Sequence, residues 1–302
     1  MNLWVLFTIS AALFQTVRFV LQKLLSSADR ALSVAGATFS RFVYSFPIVW
    51  GIVAVFLYLY GFELPRFSSW FAVYVILGGL AQIFATVLVL QLFKLRNFAV
   101  GITLKKTEAI LAAFVGILIL SEGVSLLGFV AILLGSVGVI LLTKNPISGG
   151  VFEAGLSRKS AAYGLGAGAL FALSAVMYRG ATLELDQELL LIRAGLTLTA
   201  VITWQTLIMA AWLLYFDPHE VKAVWDARRR ALWVGLTSVC GSFCWFAAFA
   251  LQTAAYVKAL GQVELLFGFL ASVLFFREKI TIYEGLGMTI LLGSILLLLL
   301  VI

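Results

Sequence analysis

The chain has 302 residues, 63% of them hydrophobic and 12% charged, about half the charged fraction of an ordinary soluble domain. With a mean hydropathy of +1.10, this composition defines an all-α polytopic membrane protein and leaves too few polar residues to cover a sizeable water-facing domain. The net charge of +7 forms no basic stripe interleaved with aromatics, which argues against nucleic acid as a partner and makes the charge a signal of orientation.

A membrane-crossing helix needs about 20 apolar residues. Ten such spans begin near Leu3, Gly36, Trp70, Phe98, Val124, Ala161, Leu189, Ala231, Ala254 and Ile280. The first opens "MNLWVLFTISAALF" without a basic leader, so no cleavable signal peptide is expected, and it carries Gln15, Arg18 and Gln22. Arg41 lies near the start of the second span and Gln82 midway along the third. The fourth contains "ITLKKTEAILAAF", with Lys105, Lys106 and Glu108 inside an apolar stretch. The longest connection, "TKNPISGGVFEAGLSRKS", holds Pro146, Gly149 and Gly150 and reads as a linker. It divides a first five-helix repeat, residues 1–144, from a second, residues 161–302, with residues 145–160 between them. The sixth span contains "GLGAG" at Gly164, Gly166 and Gly168, read as helix packing because no strand precedes it. Arg193 opens the seventh span, and His219 is placed in a loop after it. The eighth holds Cys240 and Cys244, read as small core residues, and Trp245 and Phe246. The ninth holds Lys258, Gly261 and Glu264.

Sliding the chain by 156 positions brings "LFKLRNFAVGITLKKTEAILAAFVGILILSEGVS" over "AFALQTAAYVKALGQVELLFGFLASVLFFREKIT" without a gap. Glu108 meets Glu264, Glu122 meets Glu278, and Ser125 meets Thr281. Arg41 and Arg193 pair at a slightly different offset. An odd number of spans per repeat turns the second copy upside down. The expected architecture is therefore ten transmembrane helices in two inverted five-helix repeats around a central cavity.

Taken as one helix from Phe98 to Leu120, the fourth span carries three charges costing roughly 2.5–3.5 kcal/mol each, about 9 in all. Its dozen Leu, Ile, Val and Phe residues return about 5 kcal/mol. The helix is therefore stable only with its charged side turned to protein or water. Gly101, Lys105, Glu108, Ala112 and Gly116 follow the spacing of one helical face, and Lys258, Gly261, Glu264, Gly268 and Ser272 repeat it. Glu108 lies roughly 15 Å into its span, beyond the reach of snorkelling.

The candidate substrate-binding residues are Lys105, Lys106, Glu108, Lys258, Glu264, Arg18, Gln15, Gln82 and Trp245. The excess of cations over carboxylates favours an anionic or amino acid-like solute. Burial also raises a carboxyl's affinity for a proton, so Glu108 and Glu264 are candidates for proton coupling. One histidine, and two cysteines on a single helix, suggest no metal site or cofactor. No catalytic residues are assigned. An enzyme acting on lipid-linked substrates would need an acidic metal cluster or a nucleophile–base pair, and the sequence offers neither; a lipid flippase is the other alternative. No GxxxxGK[ST] loop appears, which argues against direct drive by ATP.

These residues resemble a known family. "KKTEAILAAFVGILILSEGVS" and "GQVELLFGFLASVLFFREKIT" are similar to the fourth and ninth helices of the EamA-type branch of the drug/metabolite transporter superfamily. Each has a mid-helix Glu, small residues, and a Glu closing the helix, and Arg41 and Arg193 match the family's second- and seventh-helix arginines. The resemblance implies two inverted five-helix bundles, four helices of each around a central cavity and the fifth and tenth outside. It also implies a secondary transporter, an exporter of small polar or amphipathic metabolites, working by alternating access in a bacterial inner membrane. A homo-oligomer is compatible with it.

Orientation is a point of conflict. Lys94, Lys144, Arg158, Lys159, Lys222, Arg228, Arg229 and Arg230 fall on one side, and Arg66, Arg179 near its edge and the acidic "ELDQE" segment on the other. The positive-inside rule places the basic side in the cytoplasm and both termini outside, whereas the resemblance implies termini inside. The charge bias is the reading adopted.

Overall fold

The computed structural model describes residues 2–27, 32–61, 64–95, 104–142, 158–186, 189–267 and 282–301. Among them the structure is helical, with no strand. The helices are α1 (Leu3–Ser27), α2 (Val34–Val43), α3 (Phe46–Tyr60), α4 (Ser69–Phe93), α5 (Glu108–Leu120), α6 (Leu126–Leu142) and α7 (Arg158–Leu183). They continue with α8 (Leu190–Phe216), α9 (Pro218–Asp226), α10 (Arg228–Leu251), α11 (Ala254–Leu260), a 3₁₀ turn (Gly261–Val263) and α12 (Ile282–Val301). Gly101, Pro146, Gly149, Gly150, Gly268, Ser272, Glu278 and Thr281, all used in reading the sequence, lie outside the described residues.

Among the described residues seven segments are long and apolar enough to cross a bilayer, and Glu108–Leu120 and Leu126–Leu142 are shorter apolar helices. Long apolar side chains such as Leu24, Tyr58, Leu118, Leu126 and Leu300 stand exposed, as expected where lipid is the solvent. The chain is a multi-pass integral membrane protein.

Local chemistry sets the breaks. The second span is interrupted at Tyr44–Ser45, because Pro47 in the first turn of α3 has no N–H to continue the ladder. Ser45 donates its hydroxyl to the Arg41 carbonyl at 2.6 Å and to Gly235 at 3.1 Å, tying the break to α10. Ser33 caps α2 by accepting from Gly36 N at 3.0 Å, and Glu220 of α9 accepts from Ser33 N at 2.6 Å, placing a carboxylate at a positive helix end. His219 belongs to the exposed face of α9 and not to a loop. Cys240 and Cys244 are free thiols and half-buried, short of the core positions expected.

Small residues set the packing. Helix α6 lies against α12, where a Cβ on Gly138 would stand 2.9 Å from the Gly287 carbonyl oxygen. Helix α4 lies against α7, and α1 against α10. Gly168 of α7 lets that helix approach the backbone before α5, since a Cβ there would meet the Lys105 carbonyl oxygen at 2.9 Å and Thr107 Oγ1 at 2.8 Å. The "GLGAG" run is thus a packing device.

Candidate functional site

The fourth span is not one continuous helix. Leu104 and Lys105 are helical, Lys106 and Thr107 form a turn, and α5 begins at Glu108. The ninth changes at the matching place: α11 ends at Leu260, Gly261–Val263 form a 3₁₀ turn, and helix resumes at Glu264. Under the 156-residue shift these two irregularities coincide. Broken helices in membranes occur where backbone is shielded by protein or lines a polar space.

The turn explains why two adjacent lysines both point inward. On a regular helix Lys106 would lie about 100° from Lys105 and face elsewhere. Here both are 2% exposed. Lys105 Nζ lies 3.6 Å from Glu108 Oε1, and its ammonium stands 5.0 Å from the Phe171 ring centroid and 5.4 Å from that of Phe19. Lys106 Nζ donates to Glu264 Oε2 at 2.8 Å. Lys258 Nζ donates to Glu108 Oε2 at 3.3 Å and lies 4.8 Å from the Trp245 ring. Each carboxylate is therefore held by a lysine from the other half of the chain. Neither faces lipid: Glu108 is buried, and the Glu264 side chain is 14% exposed.

Neutral groups complete this network. Gln15 Nε2 donates to Glu264 Oε2 at 2.8 Å, and Trp245 Nε1 donates to Gln15 Oε1 at 3.2 Å. Arg18 Nη1 donates to Gln22 Oε1 at 2.9 Å and lies over the Phe19 ring at 4.3 Å. Gln82 Oε1 accepts from Tyr178 Oη at 3.0 Å and from Gln205 Nε2 at 3.0 Å.

A cavity adjoins the network. Gln15, Gln82, Ser174, Tyr178, Ser242 and Lys258 supply its polar groups, while Phe171, Trp245, Phe246 and Phe249 supply aromatic wall. Its volume is about 20 Å3, room for about one water molecule, so the central vestibule expected from the sequence is nearly closed. Of the nine candidate residues, Gln15, Gln82, Trp245 and Lys258 line it. Lys105, Lys106, Glu108, Glu264 and Arg18 do not line it; the first four belong to the ionic network, and Arg18 bonds Gln22.

The structure also brings here several residues outside the nine candidates. Arg41, read as a span-entrance arginine, is 4% exposed and donates to Ser238 Oγ at 2.9 Å, Thr86 Oγ1 at 3.3 Å and Ser242 Oγ at 3.3 Å. The spacing of Ser238 and Ser242, four apart on α10, was the available signal. Tyr178 and Gln205 were missed entirely. At one end of the bundle Arg179 forks onto Glu122, with Nη2 to Oε1 at 2.8 Å and Nε to Oε1 at 3.0 Å, and donates to the Phe249 carbonyl at 2.7 Å.

An all-helical, multi-pass membrane fold with ionic side chains paired across its centre is the class this geometry defines. Residues 158–300 match the model of the EamA-like transporter family, which belongs to the drug/metabolite transporter superfamily. That is a family of membrane transporters, whose members meet small-molecule substrates and the lipid bilayer. A crystal structure of a protein with 12% sequence identity shares the fold at a TM-score of 0.70, covering 99% of this chain and 98% of that one. No curated protein matches the chain.

Proposed function

We propose that the protein is a secondary transporter, an exporter of small polar or amphipathic metabolites that are amino acid-like or anionic. The halves 1–144 and 161–302 act as inverted five-helix units rocking about the central network, with residues 145–160 as the link. The observation that carries this reading is the reciprocal pairing Lys106–Glu264 and Lys258–Glu108. Each ion pair joins one half to the other at a break in a repeat-related helix. The approach of α6 to α12, of α4 to α7 and of α1 to α10 supports the same division.

Lys105, Lys106, Glu108, Lys258, Glu264, Arg18, Gln15, Gln82 and Trp245 form the binding region in this reading. Entry of a solute parts Lys258 from Glu108, the longer of the two lysine–glutamate bonds that join the halves, and opens the cavity between them. A carboxylate released from its lysine takes up a proton, which is how Glu108 or Glu264 would couple transport to a proton gradient. The termini face the periplasm, following the charge bias. A homo-oligomer is compatible with the broad apolar exterior.

Counterflow in proteoliposomes tests the class, because a carrier accelerates uptake of label when loaded with unlabelled substrate. Absence of counterflow across a broad metabolite panel would sink the transporter reading.

One observation favours the second reading, a flippase for lipid-linked substrates. Between α3, α8 and α10 lies an apolar groove of about 410 Å3, with Ile52, Phe56, Ile192, Leu196, Val239 and Phe243 in its walls. Its apolar lining suits an acyl chain, and an assay of fluorescent lipid translocation in the same vesicles separates the two.

A further inference from the structure

Among the described residues the buried charges do not balance. Arg18, Arg41, Lys105, Lys106 and Lys258 are buried cations. Against them stand the carboxylates of Glu108 and Glu264, each already engaged by lysine. Every side-chain hydrogen bond described for Arg41 ends on a neutral hydroxyl: Ser238, Thr86 and Ser242. The bond described for Arg18 ends on a neutral amide. The two guanidinium groups lie within each other's electrostatic reach, with Glu264 the carboxylate that offsets Arg18. A hydrophobic interior that holds a surplus of cations favours an anion brought from outside.

The surplus is aimed at the cavity. Ser242 and Tyr178 both line it, and Arg41 donates to Ser242 Oγ at 3.3 Å. Lys258 lines the cavity from the opposite half. The remaining wall is aromatic, with Trp245 stacked on Phe249 at 5.8 Å between centroids and Tyr178 against Phe246 at 4.6 Å. Such a wall suits a carbon skeleton and gives no counter-charge to an ammonium group that Glu108 and Glu264, held by lysines, do not already spend.

Resting on the transporter reading of this site, we infer that the substrate is a small organic dianion, a dicarboxylate or a phosphomonoester. Arg41 and Lys258 form its anion-binding pole. Arg41 reaches the substrate by exchanging the Ser242 hydroxyl for a substrate oxygen, and its planar fork suits either oxyanion. A zwitterion adds no net charge and leaves the cationic surplus as it was.

The experiment is a thermal-shift titration of the purified full-length protein at constant ionic strength. The probes are succinate, glycerol 3-phosphate and glutamine. Succinate or glycerol 3-phosphate raises the unfolding midpoint with saturation, glutamine does not, and which dianion acts distinguishes carboxylate from phosphate. Arg41→Gln raises the half-saturating concentration of the active dianion about tenfold, and Arg41→Lys, which keeps the charge, raises it less. Should Arg41→Gln fail to accumulate, Lys258→Gln gives the same test from the other half. Stabilisation by glutamine at equal concentration, or by neither dianion, overturns the inference. Dianion binding without counterflow would leave this site standing and sink the transporter reading. Counterflow of glutamine with both dianions inert would do the reverse.

Discussion

Replacing Glu264 by Gln removes the only charge opposite Lys106 within salt-bridge distance, at 2.8 Å among the described residues. Both side chains are shielded, at 2% and 14% exposure, so solvent screens the loss little. Leaving one member of a buried pair costs about 3–5 kcal/mol, and the amide oxygen still accepting from Lys106 and Gln15 places this variant near about 3. Removing both charges, as Lys106→Met with Glu264→Gln, eliminates the stranded ammonium and returns stability to within about 1 kcal/mol of the original. Lys106→Met alone strands the Glu264 carboxylate and costs about 3 kcal/mol by the same rule, so the cycle contains a coupling of about 5 kcal/mol. Unfolding free energies from sodium dodecyl sulfate titration in mixed micelles measure it. If the double variant loses the sum of the two single losses, Lys106 and Glu264 are not partners and the reciprocal pairing is wrong.

Three further outcomes follow from the same geometry. Glu108→Gln reduces counterflow at least severalfold with membrane abundance unchanged, and normal transport by this variant and by Glu264→Gln together would make the glutamates structural. Gly138→Leu drives a side chain into the Gly287 carbonyl, 2.9 Å from its Cβ, and lowers stability by about 1–3 kcal/mol, read in the same detergent titration; an unchanged midpoint would mean α6 and α12 do not touch there. A reporter enzyme fused after Ile302 and active only in the periplasm is active, whereas cytoplasmic activity alone would overturn the orientation drawn from the loop charges.

Much of the site was legible because carboxylates are scarce in so apolar a chain. Glu108 and Glu264 could be picked out by insertion energy alone, and their alignment in the repeat followed. The inward face of Lys105, Glu108, Ala112 and Gly116 was a matter of helical period, and the structure buries all four. Less accessible was the turn at Lys106–Thr107. Neither residue breaks a helix by itself; the break is tied to the partner at Glu264 and to the close approach of Gly168, both distant in sequence. The same limit applied to Arg41. Its place near the start of a span says nothing of its partners, and its bonds to Ser238 and Ser242 on α10 exist only in the fold. Helix α9 went unseen because it is too short to cross a membrane, although Pro218 in its first turn was an available start signal. The near-closure of the cavity depends on how tightly the helices pack, which spacing along the chain does not encode.

The central claim is that the ionic groups of the fourth and ninth spans face one another across the junction of the halves. Paired cysteines introduced by Lys106→Cys and Glu264→Cys, in a background carrying Cys240→Ser and Cys244→Ser, test it with a short bifunctional thiol reagent in native membranes. The account requires efficient cross-linking of this pair and none when Phe114→Cys, on the exposed surface of α5, takes the place of Lys106→Cys. Cross-linking of the surface pair with the central pair silent would contradict it.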